Sequence, residues 1–290
     1  MTHIAITDSG LGGLIVCAEL ERALREAGRG DARVTYVNAW PEHGTGYNDM
    51  PDMASRARVF DKVLSSVSSL APARLVIACN TLSIVYGDTA FSRSPAMPVL
   101  GIIDAGIDLF AEALSTDPAC GIVLMGTLTT IGSGTHRAGM VARGISADRI
   151  TTVSCHGLAK AVETEPAGRA VSDLIARCTS TACEERPAGE ELLLGICCTH
   201  YSYVSEQIRA ALEEKCRRSV RTLDPAGRLV SEAMRAFPGG DTSNRSPAVT
   251  VVSKVEMSEA KRQAIAARLE RVSPATAAAL LSYTRVPDLF

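Results

Sequence analysis

Short, almost wholly apolar runs alternate along this chain with longer stretches in which apolar residues return every three or four positions. The short runs predict strands at Ile4–Thr7, Val34–Val37, Leu75–Cys79, Val99–Ile103, Ile122–Gly126, Ile150–Ser154, Leu192–Cys197, Val220–Leu223 and Val249–Val252. The longer stretches predict helices over Leu14–Ala27, Met53–Leu70, Ala105–Leu114, Thr135–Arg143, Pro166–Thr179, Tyr201–Lys215, Ala226–Ala236 and Ser258–Glu270. Strands that are apolar on both faces and alternate with helices imply an α/β fold, its mostly parallel sheets flanked by helices.

The pattern also carries a faint repeat. Cys79 lies 71 residues after Asp8, and Cys198 lies 71 residues after Thr127. Each pair runs from one strand followed by a Gly/Ser/Thr turn to a second strand followed by a cysteine and a polar turn, which implies duplicated halves. The expected organisation is two similar lobes, residues 1–98 with 209–290 and residues 99–208. Ser92–Pro98 is the expected hinge, and the segment Ser205–Ala210 the expected return. Pro238–Pro247 reads as a surface loop, and the tail from Ser273 as partly helical.

Composition narrows the function. A chain of 290 residues with 46% hydrophobic and only 4% aromatic residues builds its core from aliphatic side chains. A net charge of -2 with scattered arginines supplies no drive toward nucleic acid or membrane. No apolar run is long enough for a membrane span, and the first residues enter a strand at once, so a cytoplasmic protein is expected. The nine cysteines do not resemble a secreted disulfide framework. Cys17, Cys120, Cys178, Cys183 and Cys216 read as small buried residues or incidental surface thiols. The five histidines are dispersed and no Cys-x-x-Cys occurs, so no metal is expected. None of the five lysines lies in a motif turn, which leaves no Schiff-base candidate and no expected cofactor.

The chemistry concentrates in two short motifs, Ala78-Cys79-Asn80-Thr81 and Cys197-Cys198-Thr199-His200. Each stands at the end of an apolar strand, where open parallel sheets place their active groups. A thiol titrates near pH ~8.5, within reach of neutrality, and a helix N-terminus is expected to lower that further. Two thiols on opposite faces of a Cα can remove and return its proton. Core packing is the competing reading of any single cysteine; the matched contexts favour function for Cys79 and Cys198. His200 can exchange a proton with Cys198, and Asp8 is the corresponding group for Cys79. Cys197 should point away from Cys198, since neighbouring strand residues face opposite sides.

Two further turns suit an anionic ligand. Asp8-Ser9-Gly10-Leu11-Gly12-Gly13 presents backbone N–H groups before a helix, but lacks the residues of a Walker loop and the spacing of a dinucleotide fingerprint. Gly126-Thr127 with Thr130-Ile131 and Ser133 offers hydroxyls. Helix capping explains each turn equally well when taken alone. Asn80, Thr81 and Thr199 follow their cysteines and can cap and touch a ligand at once.

Together, in order, these motifs resemble those of the cofactor-independent glutamate racemases of the aspartate/glutamate racemase family. Weaker matches are Pro98–Ile103, Cys155 with Val162-Glu163, and Leu223-Asp224-Pro225-Ala226, so the resemblance spans nearly the whole chain. It implies two pseudo-symmetric α/β lobes with the active site in the cleft between them. It implies Cys79 and Cys198 as the two catalytic bases, assisted by Asp8 and His200. Ser9, Asn80, Thr81, Thr127, Thr130 and Thr199 would hold the substrate amino acid. Members often form dimers, which makes a homodimer an expectation, and many supply D-glutamate to the bacterial cell wall.

One loop departs from the pattern. The family carries Pro-Tyr-Gly after the second strand, where this chain reads Trp40-Pro41-Glu42-His43-Gly44-Thr45-Gly46-Tyr47-Asn48. Aligning Gly44-Thr45-Gly46 with that tripeptide makes Thr45 and Gly46 the substrate-wall candidates. Cys197 also replaces the glycine usual before the second cysteine. The expected activity is therefore racemisation or epimerisation of a small acidic amino acid, glutamate first. Aspartate or a modified acid in a specialised pathway is one alternative, and a binding protein that has kept the cleft without turnover is another. A reaction of the one-cysteine relatives, decarboxylation or isomerisation of other acids, is disfavoured by the presence of both thiols.

Overall fold

The computed structural model describes residues 2–185, 191–235, 237 and 246–290. Ten strands are present among them: β1 (His3–Asp8), β2 (Arg33–Asn38), β3 (Arg74–Ile77), β4 (Val99–Gly101), β5 (Gly121–Gly126), β6 (Ile150–Ser154), β7 (Glu191–Cys197), β8 (Ser219–Leu223), β9 (Ala248–Ser253) and β10 (Thr284–Arg285). They form a six-stranded sheet, β10-β9-β2-β1-β3-β4, and a four-stranded sheet, β6-β5-β7-β8. Every neighbouring pair in both sheets is parallel. This is the expected α/β architecture, and its cause is visible in the central strands. All residues of β1 and β5 are buried, so both faces of each sheet need helices.

Two compact units result, residues Met1–Ile102 with Ala226–Phe290, and Ile103–Pro225. Both expected boundaries require correction. Gly101 pairs with Ile77 through β3, which keeps β4 in the first unit, so Ser92–Pro98 does not divide the lobes. The division falls where the helix Ile102–Thr116 follows directly on β4. At the return, β8 pairs along β7 and the helix Ser205–Cys216 packs on the helix Arg169–Glu184. The chain therefore leaves the second unit after Pro225 and not within Ser205–Ala210.

The strand orders β2-β1-β3-β4 and β6-β5-β7-β8 have the same connectivity. That shared order explains the equal spacings in the sequence. Asp8 ends β1 beside β3, whose continuation carries Cys79, while Thr127 follows β5 beside β7, which leads to Cys198.

Several local differences have simple causes. Ile102 and Ile103 extend a helix instead of a strand, being apolar in either setting. Three short helices, Asn80–Tyr86, Leu128–Gly132 and Leu158–Thr164, are too brief to show periodicity in the sequence. The expected helix at Tyr201–Lys215 is two pieces, Thr199–Ser202 and Ser205–Cys216. Cys183 and Cys216 are not incidental thiols; they form a disulfide joining the helices Arg169–Glu184 and Ser205–Cys216. Residues 238–245 of the expected Pro238–Pro247 loop lie outside the described residues. Among the described residues, no helix is long and apolar enough to cross a membrane.

Candidate active site

In the first unit, β1 delivers Asp8 to the end of the sheet, fully buried, with Oδ1 accepting from the Gly10 amide at 3.0 Å. The following helix, Leu14–Glu26, starts unusually close to this carboxylate. A Cβ on Gly13 would stand 2.8 Å from Asp8 Oδ2 and 2.9 Å from the Ala78 Cβ, so only glycine permits the approach. On the adjacent strand end, Cys79 caps the helix Asn80–Tyr86, its sulfur accepting from the Leu82 amide at 3.4 Å. Ser9 Oγ and Cys79 Sγ are hydrogen bonded at 3.2 Å.

The electrostatics around Cys79 run opposite to the expected thiolate. Burial pushes its pKa up to about 12, with the Asp8 charge adding to the rise. Hydrogen bonds from Ser9 and Leu82 offset only part of that. In the free protein Cys79 is a thiol, a proton donor before it is a base.

Next to it, Asn80 is buried, and neither atom of its side-chain amide has a hydrogen-bond partner. An unpaired buried amide is costly, on the order of 1–3 kcal/mol per group, unless a ligand completes it. Thr81 is likewise buried.

In the second unit, β7 leads to Cys198, 5% exposed, at the start of the helix Thr199–Ser202. His200 Nδ1 stands 3.9 Å from its sulfur. The other ring nitrogen of His200 donates to Glu163 Oε2 at 2.6 Å. Both His200 and Glu163 are buried. Burial opposes a charge on His200, but hydrogen bonds to Cys198 and Glu163 and their negative charges outweigh it, raising its pKa well above the usual value. His200 is thus disposed to hold a proton between the Glu163 carboxylate and the Cys198 sulfur. The Tyr201 hydroxyl donates to the Cys155 carbonyl at 3.0 Å and fixes this turn.

Thr127 caps the helix Leu128–Gly132: its Oγ1 accepts from the Thr130 amide at 3.2 Å and bonds Thr130 Oγ1 at 3.0 Å. Thr127, Thr130 and Thr199 are all buried. Cys198 shares one core face with Leu194 and Ile196, a cluster to which Cys197 does not belong. Burial holds Cys197 as a thiol, its pKa well above the ordinary value.

The arrangement in each unit is a sulfur at a parallel strand end with one polar assistant and a hydroxyl-lined turn beside it. The model of the Asp/Glu/Hydantoin racemase family matches residues 9–233.

The chain belongs to the Asp/Glu/Hydantoin racemase family. It is an isomerase of the racemase class. The racemase is similar to the glutamate racemase of Geobacter metallireducens, 30% identical over 236 residues that cover 80% of either chain. It is also similar to that of Lysinibacillus sphaericus, 27% identical over 239 residues, 81% of this chain and 82% of the relative. In fold it is similar to the solved glutamate racemase of Campylobacter jejuni subsp. jejuni, with TM-score 0.70 and 22% identity over 91% of this chain and 96% of that one. A second solved glutamate racemase, from Francisella tularensis in complex with D-glutamate, gives TM-score 0.70 and 18% identity over 93% of this chain and 94% of that one.

Within the racemase, the divergent loop differs from its expected alignment. Thr45 is exposed, in a bridge with Glu42 at the outer turn. Gly46 is buried under Trp40. The residue that reaches the Cys79 core is Tyr47, 2% exposed, packed edge-on against Phe60 at 6.3 Å. Its hydroxyl has no hydrogen-bond partner. Sequence reasoning missed Tyr47 because the loop has no periodicity; its one signal was an aromatic one position beyond the aligned tripeptide. Glu163 was visible only as a weak motif match, since its bond to His200 depends on the packing of two short helices.

The histidines do not gather. His136, for example, is buried beside Phe110 without a hydrogen-bond partner, and burial alone lowers its pKa to about 4. Among the described residues one three-ligand cluster occurs, Asp117, Cys120 and Glu191. It lies at the start of β5 and β7, the opposite end of the sheet from Cys198. There the Cys120 thiol donates to Asp117 at 2.9 Å.

Proposed function

We propose that this chain interconverts the enantiomers of a small acidic amino acid, glutamate in the first place, by cofactor-independent proton transfer at Cα between two thiols. The observation that carries the reading is the matched pair Cys79 and Cys198, each buried at a parallel strand end beside its own polar assistant. The curated relatives that the chain resembles are glutamate racemases, which makes glutamate the first substrate to test.

In this mechanism one sulfur, as thiolate, takes the Cα proton while the other, as thiol, delivers its own proton to the opposite face. The product is the other enantiomer, with the two sulfurs exchanged in protonation state. Burial, with the Asp8 charge adding to it, keeps Cys79 protonated until a cationic ammonium arrives, and Ser9 orients the sulfur. His200, oriented by Glu163, exchanges a proton with Cys198 and resets it. The unpartnered amide of Asn80 is suited to both ends of an amino acid, its carbonyl to the ammonium and its NH2 to a carboxylate. Thr81, Ser9, Thr127, Thr130 and Thr199 supply further hydroxyls and backbone N–H groups. The Tyr47 hydroxyl takes the place expected of Thr45 in the substrate wall. Exclusion of water strengthens these fixed dipoles toward the carbanionic transition state.

The reading is tested by following the optical rotation of L- and D-glutamate, then aspartate, with wild type, Cys79→Ala and Cys198→Ala. Wild type should racemise at least one of the acids, and each variant should lose at least about 10³-fold in kcat. A variant retaining full activity would remove the two-thiol assignment.

A further inference from the structure

The Trp40–Met50 loop is where this chain departs from its family, and it is fastened by one side chain. The Arg56 guanidinium, on the helix Met53–Ser69, donates through Nε to the Tyr47 carbonyl and through Nη2 to the Met50 carbonyl, both at 2.7 Å. These two acceptors bracket the single 3-10 turn Tyr47–Asp49. The Tyr47 carbonyl also accepts the Met50 amide at 3.4 Å, and a planar fork that spans the Tyr47 and Met50 carbonyls fixes the spacing of the two ends of the turn. Bonds of this charge-assisted kind are about twice as strong as neutral ones.

The remaining loop contacts make the fastening matter. The Gly46 amide donates to Asp49 Oδ2 at 2.8 Å, closing the turn on itself. A Cβ on Gly46 would stand 2.9 Å from the Trp40 ring, so the turn is pressed against that indole. The indole in turn donates to the Glu42 carbonyl at 2.7 Å and lies under Lys261. The loop is therefore held at its outer edge by its own residues and at its inner edge by Arg56. The product of both is the depth at which the Tyr47 hydroxyl enters the Cys79 core, without a protein partner there.

We propose that Arg56 is a positioning residue of the active site, acting through Tyr47 to set the substrate wall beside Cys79. The inference rests on the racemase reading above. Arg56 touches neither thiol nor any group assigned to the substrate, and its effect is carried by the backbone of the 3-10 turn. Released from it, the turn can shift while the Tyr47 ring stays in the apolar core, and the hydroxyl loses its aim. The loss should fall on substrate binding more than on the proton transfers.

A double-mutant cycle reads this directly. Arg56→Ala should raise KM for glutamate by about 10-fold or more, with a smaller change in kcat, and millimolar guanidinium should restore part of the lost KM. Arg56→Lys, which cannot span both carbonyls, should fall between the two. Tyr47→Phe should also raise KM, and adding Arg56→Ala to it should change KM less than 3-fold further, because both act through one hydroxyl. Thermal melts of each variant report whether the fold is retained. Strictly multiplicative effects of the two substitutions, or an unchanged KM in Arg56→Ala, would overturn the assignment while leaving racemisation intact. If wild type racemises no small acidic amino acid, the racemase reading and this inference fall together.

Discussion

The His200–Glu163 pair sets a pH dependence that belongs to two residues. In the fold, burial disfavours the His200 charge, but Cys198 and Glu163 hold the proton on, and the pKa sits well above the ordinary value. A group whose folded pKa is raised gives stability that is complete below its unfolded pKa, about 6.5, and lost as pH rises through the folded one. Glu163→Gln keeps the shape and removes the charge. It should cost on the order of 3 kcal/mol at pH 6, and the gap from wild type should narrow as pH rises through the raised His200 pKa in urea unfolding. A gap independent of pH would show that His200 is not charged in the fold. At this scale the placement of Cys79, Cys198 and His200 at strand ends was legible because strand, thiol and polar turn are contiguous. Glu163 was faint because it lies 37 residues from its partner, and Tyr47 escaped because its burial is decided by Phe60 and Arg56 on a separate helix.

Among elements, the helices Arg169–Glu184 and Ser205–Cys216 are joined covalently by Cys183 and Cys216, 33 residues apart. Closing a loop of that size restricts the unfolded chain by about 3–4 kcal/mol. Cys183→Ser should lower unfolding stability by about that amount, and dithiothreitol should bring wild type to the same midpoint. Equal midpoints for oxidised wild type and Cys183→Ser would show that the bridge adds nothing. The pairing was illegible in the sequence because both cysteines look like ordinary helix residues until the two helices are packed. The unit boundaries were missed for a related reason. Val99–Gly101 and Ser219–Leu223 are both short strands, and only the neighbour each pairs with, β3 or β7, assigns its unit. The central strands were legible throughout, since burial on both faces leaves an unbroken apolar run.

For the whole molecule, the repeated strand order is the deepest regularity. Two sheets with the order second, first, third, fourth each bring a polar turn and a cysteine to neighbouring strand ends. A duplicated scaffold of this kind yields two similar thiol sites, which is what a reaction needing one proton acceptor and one proton donor requires. Their electrostatics are not duplicated: burial and the Asp8 charge raise the Cys79 pKa, while Cys198 has beside it a histidine whose pKa is raised. The central claim is that one sulfur takes the Cα proton and the other delivers a different one, exchanged with solvent. L-glutamate incubated with the protein in heavy water and sampled by NMR at low conversion tests it most directly. The account predicts that the D-glutamate formed carries deuterium at Cα while the remaining L-glutamate keeps its protium. Protium retained in the product, deuterium entering both pools equally from the outset, or no D-glutamate at all would contradict it.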